Sequence, residues 1–250
     1  MRAPEPDPSH VSGCVVCGLE LDYLEAAGDV RCALCGADGT SPVRCRAGHF
    51  VCDACHAAPA RDVIERVCIA TPSTDPFALA TALMRYRSLK LHGPEHHFLV
   101  PAALLSALAN ARGDGASKAR FIAEARRRAD SVPGGACGFH GACGAGVGVG
   151  IFASIATGAT PLSRESWGLS NQATARALTA IGGVGGPRCC KRTTWLAILT
   201  GIRFAREALG VRLRGRGAAC DWSAVNDQCL EAGCPFHPGR RTLPANVRGP

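Results

Sequence analysis

Aromatic residues are scarce in this chain of 250 residues, which has 8 Phe, 3 Trp and 2 Tyr, and methionine is nearly absent with 2. A core of large rings is excluded. With 30 Gly and abundant Ala, the interior must form by close approach of small residues, which favours helices lying backbone to backbone. Long apolar runs fit for a membrane are lacking too. Residues 141–163 carry no charge, but their glycines and Pro161 mark a buried helix rather than a span. The opening MRAPEPDPSH has neither the charged nor the apolar stretch of a signal peptide, which predicts a reducing, cytoplasmic setting. An alternating strand pattern is missing beyond residue 70.

What is present is a globular balance of 47% hydrophobic and 19% charged residues, with 28 Lys and Arg against 20 acids and a net charge of +8. The arginines scatter over 120–128, 203–216 and 240–248, so Arg126, Arg127 and Arg128 read as a solvated helix face, and nucleic acid is only weakly supported as a partner. The length suits two unequal parts. Residues 1–12, rich in proline, predict a disordered lead, 13–58 a zinc-binding module, and 59–250 an all-α domain with a cysteine-bearing core. A short helix is expected after Pro59, broken by Thr71-Pro72-Ser73-Thr74-Asp75-Pro76. Helical spacing of apolar residues then marks 76–86, 96–110, 117–130, 144–157, 168–181 and 192–209.

Fifteen cysteines in a reducing setting point to metal or redox chemistry rather than structural disulfides. Cys14-x-x-Cys17, Cys32-x-x-Cys35 and Cys45-x-x-x-His49-x-x-Cys52-x-x-Cys55 supply eight ligands in four pairs, separated by short turns such as Gly36-Ala37-Asp38-Gly39. Tetrahedral zinc takes four such ligands, so two closed zinc sites are expected, with a structural and protein-docking role. The segment from Cys45 to Cys55 resembles the middle of a RING-type cross-brace. That resemblance implies Cys32, Cys35, Cys52 and Cys55 on one ion and Cys14, Cys17, Cys45 and His49 on the other. The order departs from RING proteins, because the last pair stands at the front and no C-x-x-C follows Cys55, so ubiquitin-ligase activity is not implied. Sequential pairing, with residues 14–35 on one ion and 45–55 on the other, remains open.

The later cysteines, Cys137, Cys143, Cys189, Cys190, Cys220, Cys229 and Cys234, follow no zinc-finger rhythm. Long, uneven intervals suit an iron–sulfur cluster held between helices, such as a [4Fe-4S] cluster, or another thiolate-bound centre serving redox or sulfur-transfer chemistry. Cys137, Cys143, Cys189, Cys190 and Cys234 are the expected ligands or reactive thiols. Cys143 stands where a glycine-rich helix begins, and the helix dipole there favours a thiolate. Gly144, Gly146, Gly148 and Gly150 allow close approach of a cluster or of a neighbouring helix. They also satisfy a loose nucleotide-loop scan, but no strand precedes them and no acidic residue follows at the required distance. Cys143-Gly144-Ala145-x-x-Gly148 with Cys189-Cys190 is loosely similar to redox proteins named for a C-GCAxxG-C-C pattern. More closely, HGPEHHFLVPAALL, CGFHGACGA and CCKR together resemble an uncharacterised cysteine-rich domain of bacteria and archaea, a resemblance that implies no activity.

His92-Gly93-Pro94-Glu95-His96-His97 is the best site outside the cysteines, with Pro94 placed to open a helix. His96 and His97 are candidate ligands or acid–base groups, or else satisfy buried polar groups. His92-x-x-Glu95-His96 also matches the inverted zinc-peptidase motif, but Gly93 and Pro94 oppose the continuous helix that hydrolase chemistry needs. A zinc-only adaptor is the remaining alternative.

Overall fold

The computed structural model describes residues 14–240, apart from residues 15, 18, 53, 54, 56–58, 87, 216 and 218. The expected lead at 1–12 lies outside the described residues.

Two strands, β1 (Leu21–Arg31) and β2 (Asp38–Cys45), form an antiparallel hairpin whose register runs from Leu21 opposite Cys45 to Arg31 opposite Asp38, with a shift between Tyr23 and Gly28. The turn at 32–37 closes through Cys32 N–H on the Ala37 carbonyl at 2.8 Å, and Gly36 takes a positive φ of 74°. Most residues of both strands are exposed, so burial of apolar surface contributes little to this hairpin. Its shape depends on the cysteines at its ends.

Among the described residues eight α-helices follow, as the helical spacing of the sequence predicts, with one short addition: α1 (Ala60–Ala70), α2 (Pro76–Met84), α3 (Glu95–Arg112), α4 (Gly115–Asp130), α5 (Ala136–Phe139), α6 (Gly144–Thr157), α7 (Glu165–Val184) and α8 (Cys190–Leu209). Local signals set their ends. The Asp75 carboxylate accepts the Ala78 N–H at 2.8 Å with Pro76 in the first turn, and the Asp114 carboxylate accepts Ser117 N–H at 3.1 Å. Helices α3, α6 and α8 stop at Gly113, Gly158 and Gly210, each left-handed.

Helix α3 is buried on nearly every side and forms the axis of the body. Helix α6 lies against it through glycine: a Cβ added at Gly148 would stand 2.9 Å from Pro101 Cδ and 3.0 Å from the His97 carbonyl oxygen. The scarce aromatics gather elsewhere. Phe77, Trp195, Trp222 and Phe236 form one cluster, with ring centroids 4.9 Å apart for Trp195 and Phe236 and 5.9 Å for Trp195 and Trp222. They belong with or underlie residues 211–240, a segment whose regular pieces among the described residues are 3-10 turns at Ser223–Val225 and Glu231–Gly233. Arg214 N–H to Thr74 O at 3.1 Å and Arg85 to Asp221 at 2.8 Å strap this segment to the body. Among the described residues no helix is long and apolar enough to cross a membrane.

Gly148→Val should therefore overpack the α3–α6 contact and destabilise the body by about 1–3 kcal/mol. Gly182→Ala, in open space within α7, should stabilise it by about 0.5–1 kcal/mol. Urea unfolding of the two variants checks both signs.

Candidate metal centres

The hairpin interleaves the eight ligands of the N-terminal module. Cys14, Cys17, Cys45 and His49 form one set and Cys32, Cys35, Cys52 and Cys55 the other, with the ligand atoms of each set within 4.8 Å of one another. This is the cross-braced arrangement; sequential pairing does not occur. Zinc–thiolate bonds of about 2.3 Å in a tetrahedron place sulfurs about 3.8 Å apart. The Cys17 and Cys45 sulfurs stand 3.7 Å apart, and those of Cys35 and Cys52 3.8 Å. His49 turns Nδ1 inward, 3.4 Å from Cys45 Sγ and 3.9 Å from Cys14 Sγ. The residues thus fit a divalent ion in each set, and neither set has a spare position for substrate.

Protonation of these thiols is uneven. Burial opposes the Cys32 thiolate, yet N–H groups of Cys35, Cys52 and Leu34 outweigh it and bring the thiol down to about 6. Burial pushes Cys55 up to about 12 and Cys14 up to about 11, with neighbouring thiols adding to the effect. A metal entering either set must therefore displace protons.

In the helical body the seven later cysteines separate into two groups. Cys189 and Cys234, both buried, line one cavity together with Cys220 and Cys229. The other expected residues do not line it. Cys190 is half-buried, and burial raises its thiol to about 11 against the pull of the Gly93 N–H. Cys137 is exposed, and Cys143 is half-buried at the N-cap of α6, where its side chain makes no capping bond. Cys220 and Cys229 carried no preference in the sequence because nothing in their spacing marks them. The irregular segment they share was the available signal. Arg192 lines the cavity, and it and its neighbour Lys191 are 2% and 1% exposed.

The histidine segment spends most of its polar atoms on local structure, His92 Nδ1 being buried without a hydrogen-bond partner. His96 is 1% exposed; its Nε2–H donates to the Lys90 carbonyl at 3.2 Å, and its Nδ1 accepts the Thr194 hydroxyl at 2.9 Å. Neither nitrogen is left for a metal. Glu95 accepts Lys90 N–H at 2.9 Å, folding back over Gly93, where a Cβ would collide with its carboxylate. His92 Nε2 donates to Asn226 Oδ1 at 3.3 Å, so His92, Glu95 and His96 do not converge on one ion. His97 Nδ1 donates to the Val132 carbonyl at 3.2 Å, and its ring lies against Gly144. The glycines of α6 thus serve helix contact: Gly148 meets α3, and Gly150 faces Thr174 of α7.

A family model described as a family of unknown function (DUF5714) matches residues 64–237. The chain belongs to this family. The matched span runs from α1 to just past Cys234, so it takes in the histidine segment and all seven later cysteines and leaves out the cross-braced module. No curated protein and no solved structure matches the chain.

Burial, with the charge of Lys191 adding, lowers the His96 imidazole to about 3. Only the unfolded chain then takes up its proton below about pH 6.5, so stability should fall on acidification by up to about 1.4 kcal/mol per pH unit from this residue. His96→Gln should remove that component. Urea titrations between pH 7 and pH 5 would give a shallower slope in the variant, and equal slopes would refute the assignment.

Proposed function

We propose that this is a cytoplasmic metalloprotein of two parts. Residues 13–58 hold two structural zinc ions, and residues 59–250 carry a thiolate-bound metal centre that serves redox or sulfur-transfer chemistry. The observation that carries the zinc reading is the sulfur spacing of 3.7 and 3.8 Å across two closed four-ligand sets. The second part rests on the cavity lined by Cys189, Cys220, Cys229 and Cys234. A reducing setting agrees with fifteen cysteines free of disulfides.

The zinc module would act as a docking unit. Leu19, Tyr23 and Leu24 are exposed at and near β1, Tyr23 by 77%, and offer an apolar contact to a protein partner. The same module is anchored to the body: the Tyr86 hydroxyl donates to the Cys55 carbonyl, and Arg66 reaches Cys55 Sγ at 3.6 Å. A partner held by the hairpin would thereby be presented to the helical domain.

Metal analysis of the full chain purified without oxygen tests both parts. Two zinc ions per chain are expected, together with a further metal. The Cys17→Ser, Cys35→Ser double variant should lose the zinc, become sensitive to protease within residues 14–55, and keep both its helical circular dichroism and the further metal. Zinc unchanged in the variant, or an absence of any metal beyond the zinc in the parent chain, would overturn the corresponding half.

A further inference from the structure

We infer that Cys189, Cys220, Cys229 and Cys234 ligate a four-iron, four-sulfide cluster, an assignment that rests on the thiolate centre proposed above and gives it a ligand set and a nuclearity. The first observation is spacing. No three of these four sulfurs lie within 4.8 Å of one another, whereas a single tetrahedral ion needs every pair at about 3.8 Å. In the zinc module of this same chain the thiols meet that requirement. Four thiols around one cavity, set wider than one ion can bridge, are what separate irons of one cluster demand.

The second observation is local backbone. In the zinc module, N–H groups two residues on point at the ligand sulfurs, Val16 to Cys14 at 3.4 Å and Ala47 to Cys45 at 3.2 Å. The cavity repeats this turn: Trp222 N–H points at Cys220 Sγ at 3.4 Å and Glu231 N–H at Cys229 Sγ at 3.3 Å. Asn226 Nδ2 adds a donor to Cys189 Sγ at 3.6 Å. Such donors stabilise thiolate rather than thiol.

The third observation is charge. Lys191 Nζ donates to the Met84 carbonyl at 2.7 Å and lies 4.6 Å above the Trp222 ring, while Arg192 Nη2 donates to the Gly185 and Pro187 carbonyls at 2.9 and 2.6 Å. Neither cation has a carboxylate within 4 Å among the described residues. Arg192 lines the cavity, and its buried Nε has no hydrogen-bond partner. Lys191 still feels the favourable charge of the Glu95 carboxylate, so it is Arg192 that calls for an anion: a buried cation without a carboxylate is costly unless an anion lies beside it, and a cluster carried by four thiolates is net negative. Arg192 Nε is the donor left for one of its sulfurs. The fourth observation is the Trp195 ring, which lines the cavity and is backed by Trp222 and Phe236, an apolar wall on one side of it.

The test is iron, sulfide and zinc analysis of the full chain after anaerobic incubation with ferrous and ferric iron in equal amounts and sulfide, with visible and electron paramagnetic resonance spectra. Four irons and four sulfides are expected beside two zinc ions, with a paramagnetic signal on one-electron reduction. Cys220→Ala with Cys229→Ala should lose iron and sulfide and keep the two zinc ions, while Cys137→Ala with Cys143→Ala should keep everything. Arg192→Gln should still assemble the cluster but shift its potential to more negative values, because the reduced, more anionic state loses a cation and a donor. A third zinc ion in place of iron, lost in the Cys220, Cys229 variant, would overturn the cluster and leave the broader thiolate reading standing. Neither iron nor a third zinc would bring both down. Iron retained when Cys220 and Cys229 are absent would overturn the ligand set, and an unshifted potential in Arg192→Gln would remove the arginine from it.

Discussion

Thiols held less than 4 Å apart cannot all ionise unless a cation stands among them. The N-terminal module is organised around that constraint. Most residues of its strands are exposed, and the sulfurs of Cys17 and Cys45, and of Cys35 and Cys52, are drawn together at the hairpin's ends. Because the two ligand sets interleave along the chain, each ion would fix the ends that bound the other's loop. Apolar burial alone is too small in such a segment to set its shape.

The module is nevertheless continuous with the body. Leu34, Cys32 and Cys55 belong to the same buried cluster as Val63 and Ile64 of α1, and the Tyr86 hydroxyl is bonded to the Cys55 carbonyl. Occupancy of the second ligand set is thus felt directly by α1 and by the turn after α2. Within the body, order comes from small residues. Gly148 and Gly201 allow α6 and α8 to approach α3, where a Cβ would meet Pro101 in one case and Leu104 in the other.

This division explains what could be read from the sequence. The long helices were legible, since each buries a face at helical spacing and ends on Asp, Pro or Gly signals. The eight ligands of the module were legible as residue types at short spacing, but choosing cross-braced over sequential sets required the hairpin. The hairpin itself gave no sign, because β1 is exposed along most of its length and the buried positions of β2 are Ser41 and Cys45, which make no apolar alternation. In the helical body, Cys189 and Cys234 share a cavity, while Cys137, Cys143 and Cys190 lie outside it. Sequence intervals cannot report that, as the thiols are gathered by an irregular segment folded back on α8. Nor do the adjacent charges of Lys191 and Arg192 reveal in the sequence that both are buried.

The adjacent pair Cys189 and Cys190 shows how separate stretches of this chain become one unit. Cys189 is extended at the N-cap, with φ −147° and ψ 103°, and Cys190 is the first helical residue, so the two side chains leave the chain in different directions. Cys189 enters the cavity, and Cys190 faces the Gly93 turn. Asn226 joins the two regions, accepting from His92 and donating to Cys189. Glu95 and His96 both hold the Lys90 backbone, which fixes the turn that carries His92. The histidine segment is therefore a frame for the four-cysteine cavity. Its part there is orientation: His92 Nε2 donates to the asparagine whose amide nitrogen faces the Cys189 sulfur.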